Sequence, residues 1–198
     1  MTPPLRPEEV GREKIMDPDT YAFCAMIRNR SGENRRAMHV LAPHRVISPA
    51  FSLLRQELDS MVRVIYLLHL ADQTERQRLI KSTLQGERWK LPTPNGKFRD
   101  VTDREMVDNA QRLQGWTQSV YKFGCAFVHL SDFHNYFAQN PFQKLPEAER
   151  EDILTHMRRY HGGPSHDDPE MSEIAEYLPR VFDKIADNLN SYLEQLER

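Results

Sequence analysis

The sequence predicts an all-α fold, a helical bundle organised around one strongly apolar helix at about 116–137 with the other helices at its periphery. Three observations predict it. Long segments with apolar residues at helical spacing run between prolines and glycines. No stretch alternates apolar and polar residues between tight-turn residues, the pattern of a half-buried strand. The length of 198 residues suffices for one domain with a hydrophobic core and falls short of two ordinary domains plus linkers. Residues 1–16 read as a flexible lead-in and 17–198 as a single helical domain.

The elements follow in order. Asp17 before Pro18 has the form of an N-cap and first helical position, opening a helix to Leu41 with a polar stretch around Gly32 as a candidate break. Ser48 before Pro49 repeats the signal and opens a helix to about Leu70, whose inward face includes Leu54, Leu58, Met61 and Ile65. A shorter helix runs from Gln73 or Thr74 to near Gly86. Residues 90–101, with two prolines and Asn95-Gly96, read as a loop. Thr102 and Glu105 match a capping box, so a helix starts there and stops near Gly115. The apolar helix from Trp116 to about Phe137 carries Val120, Phe123, Phe127, Leu130, Phe133 and Phe137. A helix from Pro146 to His161 ends at Gly162-Gly163. Pro179 divides the last segment into a short helix to Tyr177 and a longer one after it.

Composition narrows the function. Asp plus Glu number 29 against 27 Lys plus Arg, a net charge of −2, so no global field draws the chain to nucleic acid or anionic lipid. The two cysteines, Cys24 and Cys125, sit in apolar stretches. That fits buried thiols in a reducing compartment, and a cytoplasmic location is expected. Residues 1–12 have no apolar core of a signal peptide, and the most apolar run, 61–70, is far shorter than the ~20 residues a membrane span needs.

Chemistry concentrates in Val120–Ser131, where polar groups interrupt an oily helix. Lys122 and His129 lie seven positions apart; at about 3.6 residues per turn they fall within ~20° of each other on a continuous helix. A cation beside an imidazole suits phosphate chemistry, the charge stabilising a developing anion and the ring moving a proton. The alternative is a core histidine bonded to a neighbouring helix and a lysine reaching solvent. Arg63, inside an apolar run, needs an acceptor: a carboxylate from another helix or a bound phosphate. The eight histidines lack metal spacing, since His129/His134 and His156/His161 are each five apart and no Glu-x-x-His occurs. No metal is expected, and with neither P-loop nor Gly-x-Gly-x-x-Gly, no cofactor.

The long helix from Ser48 to Leu70, the segment Phe127-Val128-His129-Leu130-Ser131 and the closing helices together resemble the HEPN superfamily of nucleotide-binding helical bundles, over the middle two thirds of the chain. The resemblance implies a metal-independent ribonuclease or RNA-binding protein whose motif, Arg followed after four to six residues by His, is assembled across a homodimer. The matching histidine is His129, and Lys122 stands where that motif has Arg. A point charge in place of a planar fork is the departure expected of a non-cleaving member.

Two readings follow. In the first the protein binds RNA or a nucleotide, or cleaves RNA, with His129 as general acid/base, Lys122 on phosphate and Arg63 as a second anion contact. In the second it is a non-catalytic helical interaction or dimerisation module, as the apolar face of the last helix would permit.

Overall fold

The computed structural model describes residues 16–198, so all but the last residue of the expected lead-in lies outside the described residues. Within them the chain forms seven α-helices, α1 Pro18–Leu41, α2 Ile47–His69, α3 Gln73–Leu84, α4 Asp103–Gln114, α5 Thr117–Val128, α6 Glu147–His161 and α7 Met171–Leu196. One hairpin, β1 Lys90–Pro92 with β2 Phe98–Asp100, and two 3-10 turns, Asp132–Asn135 and Pro141–Lys144, complete the order. The all-α class stands. No helix among the described residues is long and apolar enough to cross a membrane.

Where a helix boundary depends on neighbouring residues, it falls close to where the sequence puts it. The Asp17 carboxylate accepts from the Thr20 amide at 2.9 Å with Pro18 in the first turn. Gly115, at φ 71°, closes α4 in the left-handed conformation that side chains resist. Thr102 caps α4 by accepting from the Glu105 amide at 3.2 Å. The return half of the box is not made, because Arg99 grips the Glu105 carboxylate at 2.7 and 2.8 Å and the Tyr66 hydroxyl donates to it at 3.1 Å.

Four expectations are corrected by the fold. Gly32 does not break α1, because the helix is tied down on both sides of it. Arg28 pairs with Glu197, the residue that caps α7, and Arg35 with Asp183 and Asp187 on α7. Pro179 does not divide α7. An internal proline costs roughly 3 kcal/mol, whereas each fully buried large apolar side chain returns ~1.5–3 kcal/mol, and α7 buries Ile174, Leu178, Phe182, Ile185, Leu189 and Leu193. α2 begins at Ile47 with no side-chain cap, so Ser48 and Pro49 fall inside its first turn. The loop at 90–101 is a hairpin pairing Leu91 with Arg99, and its Asn95-Gly96 is a hairpin-turn signal. Trp89 anchors its base, buried and donating its indole N–H to the Thr83 hydroxyl at 2.7 Å.

The largest correction concerns the centre of the bundle. α5 stops at Val128, nine residues short of Phe137, and α2 is the central helix. Phe51, Leu54, Leu58, Met61, Val64, Ile65 and Leu67 of α2 are all buried, and α1, α4, α5 and α7 pack around it. α5 ends because Ser131 competes for the backbone. Its hydroxyl donates to the Ala126 carbonyl at 2.7 Å and accepts from the Phe133 amide at 3.2 Å, capping the 3-10 turn that follows. Beyond that point Leu130 and Phe137 are 95% and 88% exposed. Phe133 folds back, edge-on to Phe123 and Phe127 at 5.7 Å each, and His134 and Tyr136 also lie against Phe127.

Candidate functional site

Arg63 projects from α2 toward the start of α4. Its Nε lies 3.1 Å from Asp59 and an amino nitrogen 3.2 Å from Asp103, with the guanidinium 5.3 Å from the Trp89 ring. Arg55, one side of the same pair, is 3.3 Å from Asp103 and stacks over Tyr121 at 4.3 Å. Arg30 of α1 also reaches Asp59, at 3.9 Å, so three guanidiniums share two carboxylates in a network that joins α1, α2 and α4. The partner from another helix is Asp103, and Asp59, one turn earlier on α2 itself, is the partner that helical spacing would also have shown.

Lys122 and His129 are not gathered on one helical face. Lys122 is exposed on α5, with its ammonium 4.0 Å from Glu149 of α6. His129 lies beyond the last turn of α5 at φ −100° and ψ 144°, an extended backbone, so the seven-residue helical relation between the two does not hold. His129 is exposed rather than a core residue. Neither residue lines the cleft described next.

That cleft lies between the junction of α4 with α5, the inner sides of α6 and α7, and the first turns of α2, and has a volume of about 350 Å³. Small-molecule sites span ~300–1,000 Å³. Phe51, Leu54 and Phe123 form its floor, Trp116 and Val120 one wall, and Leu178, Val181 and Ile185 the other. It exists because α6 is too polar to close on the core. Glu147, Glu149, Arg150, Glu151, Asp152, Arg158 and Arg159 occupy most of its surface, and only Leu154 and Met157 are buried. Ile153 and Tyr160 therefore line the opening instead of sealing it. The end of α6 is held by the turn behind it. The Gly163 amide donates to the Met157 carbonyl at 3.0 Å, and a Cβ at Gly163 would stand 2.7 Å from Met157.

Few polar groups interrupt the cleft. The Ser119 hydroxyl donates to one Asp152 carboxylate oxygen. The His156 Nδ1 donates to the Asp152 carbonyl at 2.8 Å, which places a proton on that nitrogen, and lies 3.3 Å from the other carboxylate oxygen. Serine, histidine and aspartate meet here, but the carboxylate sits between the other two. The imidazole is not the acceptor of the serine proton, so the arrangement does not activate Ser119 as a nucleophile. Further along α6, His161 is half-buried, and burial lowers its pKa below the ordinary histidine value. The positive charges of Lys184 and Arg180, and then His156, push it the same way.

His156 and His161 stand out in the sequence only as a pair with the wrong spacing for a metal. Both line the cleft because α6 runs along its rim, where residues on diverging sides of the helix still reach the opening. Among the described residues no group of three His, Cys, Asp or Glu side chains is placed to hold a metal ion. Ser119, Lys184 and the cleft itself have no signature in the sequence beyond the weak apolar stripe of α6 set against the strong one of α7. Compared with protein-family models, with curated proteins and with solved structures, the chain matches none of them.

Proposed function

We propose that the protein is a non-catalytic helical binding domain whose ligand is a small, mainly apolar molecule seated between α5, α6 and α7. The observation that carries this reading is the cleft: about 350 Å³ walled by aromatic and aliphatic side chains with a few polar groups among them. The two thiols, Cys24 buried and Cys125 half-buried, are both free, which supports a reducing cytoplasmic setting.

The test uses 1-octanol as a neutral apolar probe. Trp116 lines the cleft and the only other tryptophan is Trp89, elsewhere in the fold, so indole fluorescence in a Trp89→Phe background reports occupancy directly. Saturable binding is expected, weakened at least about tenfold, or ~1.4 kcal/mol, by Val120→Phe, which fills part of the space, adds no second indole and leaves the far-ultraviolet circular dichroism unaltered. A protein that binds no 1-octanol below its solubility limit does not have this function.

A second reading, an RNA-binding protein or metal-independent endoribonuclease, is favoured by one observation: Lys122 and His129 are both open to solvent. The resemblance to HEPN proteins adds a homodimer. Val128 and Leu130, exposed on either side of His129 in the chain, and the exposed Phe137 further on are the kind of apolar surface a second copy would cover. On this reading RNA, or a nucleotide, contacts Lys122 while His129 transfers the proton. Cleavage of RNA in the presence of chelator is expected, and its loss in His129→Ala. Intact RNA across a broad pH range, with a monomer in light scattering, disposes of it.

A further inference from the structure

We infer that the ligand of the cleft is an amphipathic anion, an aliphatic chain ending in a carboxylate whose head group sits at the rim between His161 of α6 and Lys184 of α7. The inference rests on the binding reading above and adds the chemical class of the ligand.

The first argument is the charge pattern. The chain as a whole carries more acid than base, yet no Asp or Glu lines the cleft, whereas Lys184, His156 and His161 all do. Those three do not contribute equally. His156 already faces the Asp152 carboxylate, which also holds Ser119, so the end of the cleft toward α5 has its negative charge. The opposite end has none. There His161 and Lys184 both line the cleft, and the His161 ring lies in the positive field of Lys184 and Arg180. The remaining acid on this stretch of α7, Asp183, is turned to Arg35 and His39 of α1. A half-buried imidazole with like-charged neighbours and no carboxylate of its own marks the place where an anion is missing.

The second argument concerns the helix end. A carbonyl-terminated helix repels an anion through its dipole, and His161 is the last residue of α6. Here that repulsion is reduced. The Arg180 guanidinium donates to the His161 carbonyl at 2.8 Å, and the Gly162 and Gly163 amides take the Met157 carbonyl. The helix end thus carries a cation of its own beside the cleft.

The third argument is size. At ~30 Å³ for each water-sized group, a space of about 350 Å³ admits roughly a dozen heavy atoms. Octanoate falls within that number, with its chain against Phe51, Phe123 and Leu178 and its carboxylate at the rim.

Octanoate, 1-octanol and octylamine, compared by Trp116 fluorescence in the Trp89→Phe background, test head group and cleft separately. Octanoate is expected to bind about tenfold more tightly than 1-octanol, the size of one charge-assisted contact, and octylamine more weakly than either. Lys184→Gln and His161→Gln should each bring the ratio of octanoate to 1-octanol affinity most of the way down from about ten towards one. Because an anion stabilises the protonated His161 ring, octanoate should also bind more tightly as the pH falls from about 8 to 6, while 1-octanol shows no such slope. Equal binding of octanoate and 1-octanol, or preference for octylamine, overturns the anionic head group and leaves the cleft standing. Binding of none of the three removes the cleft reading and this inference with it.

Discussion

Replacing Phe51 with alanine is expected to lower the stability of the domain by about 3–5 kcal/mol, the range for deleting a buried aromatic side chain. Phe51 is 1% exposed, lies stacked on Phe127 with ring centroids 4.3 Å apart and meets Phe123 edge-on at 5.0 Å. With Arg55 over Tyr121 it holds α5 on α2, and it also lines the cleft. Neighbours fixed on two helices cannot collapse fully into the space it leaves, so a cavity penalty adds to the lost burial. In a domain of this size the loss corresponds to a fall in melting temperature of roughly 6–20 °C. Urea unfolding of Phe51→Ala measures it. A loss under about 1 kcal/mol, the level of an ordinary surface change, would mean that the aromatic cluster does not join α5 to α2 as described.

Glu57 carries the second large effect, with the opposite sign. It has no exposed surface on α2, and its carboxylate accepts from the Ser31 hydroxyl and, at 3.4 Å, from the Asn34 amide. Burial raises its pKa; those two bonds and the charges of Arg30 and Arg35 offset this only in part. The folded protein therefore holds the proton more tightly than the unfolded chain. The stabilising contribution is complete below the unfolded carboxyl value of about 4.3 and disappears as the pH rises through the folded value. Glu57→Gln keeps the shape and both partners while removing the buried charge. It should be more stable than the parent at pH 7 by on the order of 1 kcal/mol, because the desolvation of an ionised carboxylate is removed. The two proteins should converge near pH 4. A variant less stable at pH 7 would show that the hydrogen bonds to the ionised carboxylate outweigh its desolvation.

The helix boundaries show how far local signals reach. Asp17-Pro18, Thr102, Gly115 and Gly162 are all readable, because each acts on backbone groups within a few residues of itself. Ser131 is a signal of the same kind, since it caps a turn and ends α5. In the sequence it is hidden inside an apolar run that continues through Phe133 to Phe137. The relation between Lys122 and His129 depended on that continuation and vanished with it. Arg63 shows the reverse: an arginine among apolar residues must find an acceptor, and the sequence contains that necessity without naming Asp103 as one that meets it. The cleft is not legible at all, because it is the space left where a mostly polar α6 fails to close on α7, and no residue encodes a gap.

From its residues alone the chain determines that it is all-α, where capped helices begin and end, and that a charge placed among apolar neighbours requires a partner. These depend on propensity and on hydrogen bonds that close over a few positions. Only the tertiary structure decides that α2 and not α5 lies at the centre, that α7 continues through Pro179, and that His161 and Lys184 face one opening. Burial is the reason. Whether an apolar face is covered, a helix break is overridden or a cation is left without a counter-charge depends on what packs against it from distant parts of the chain.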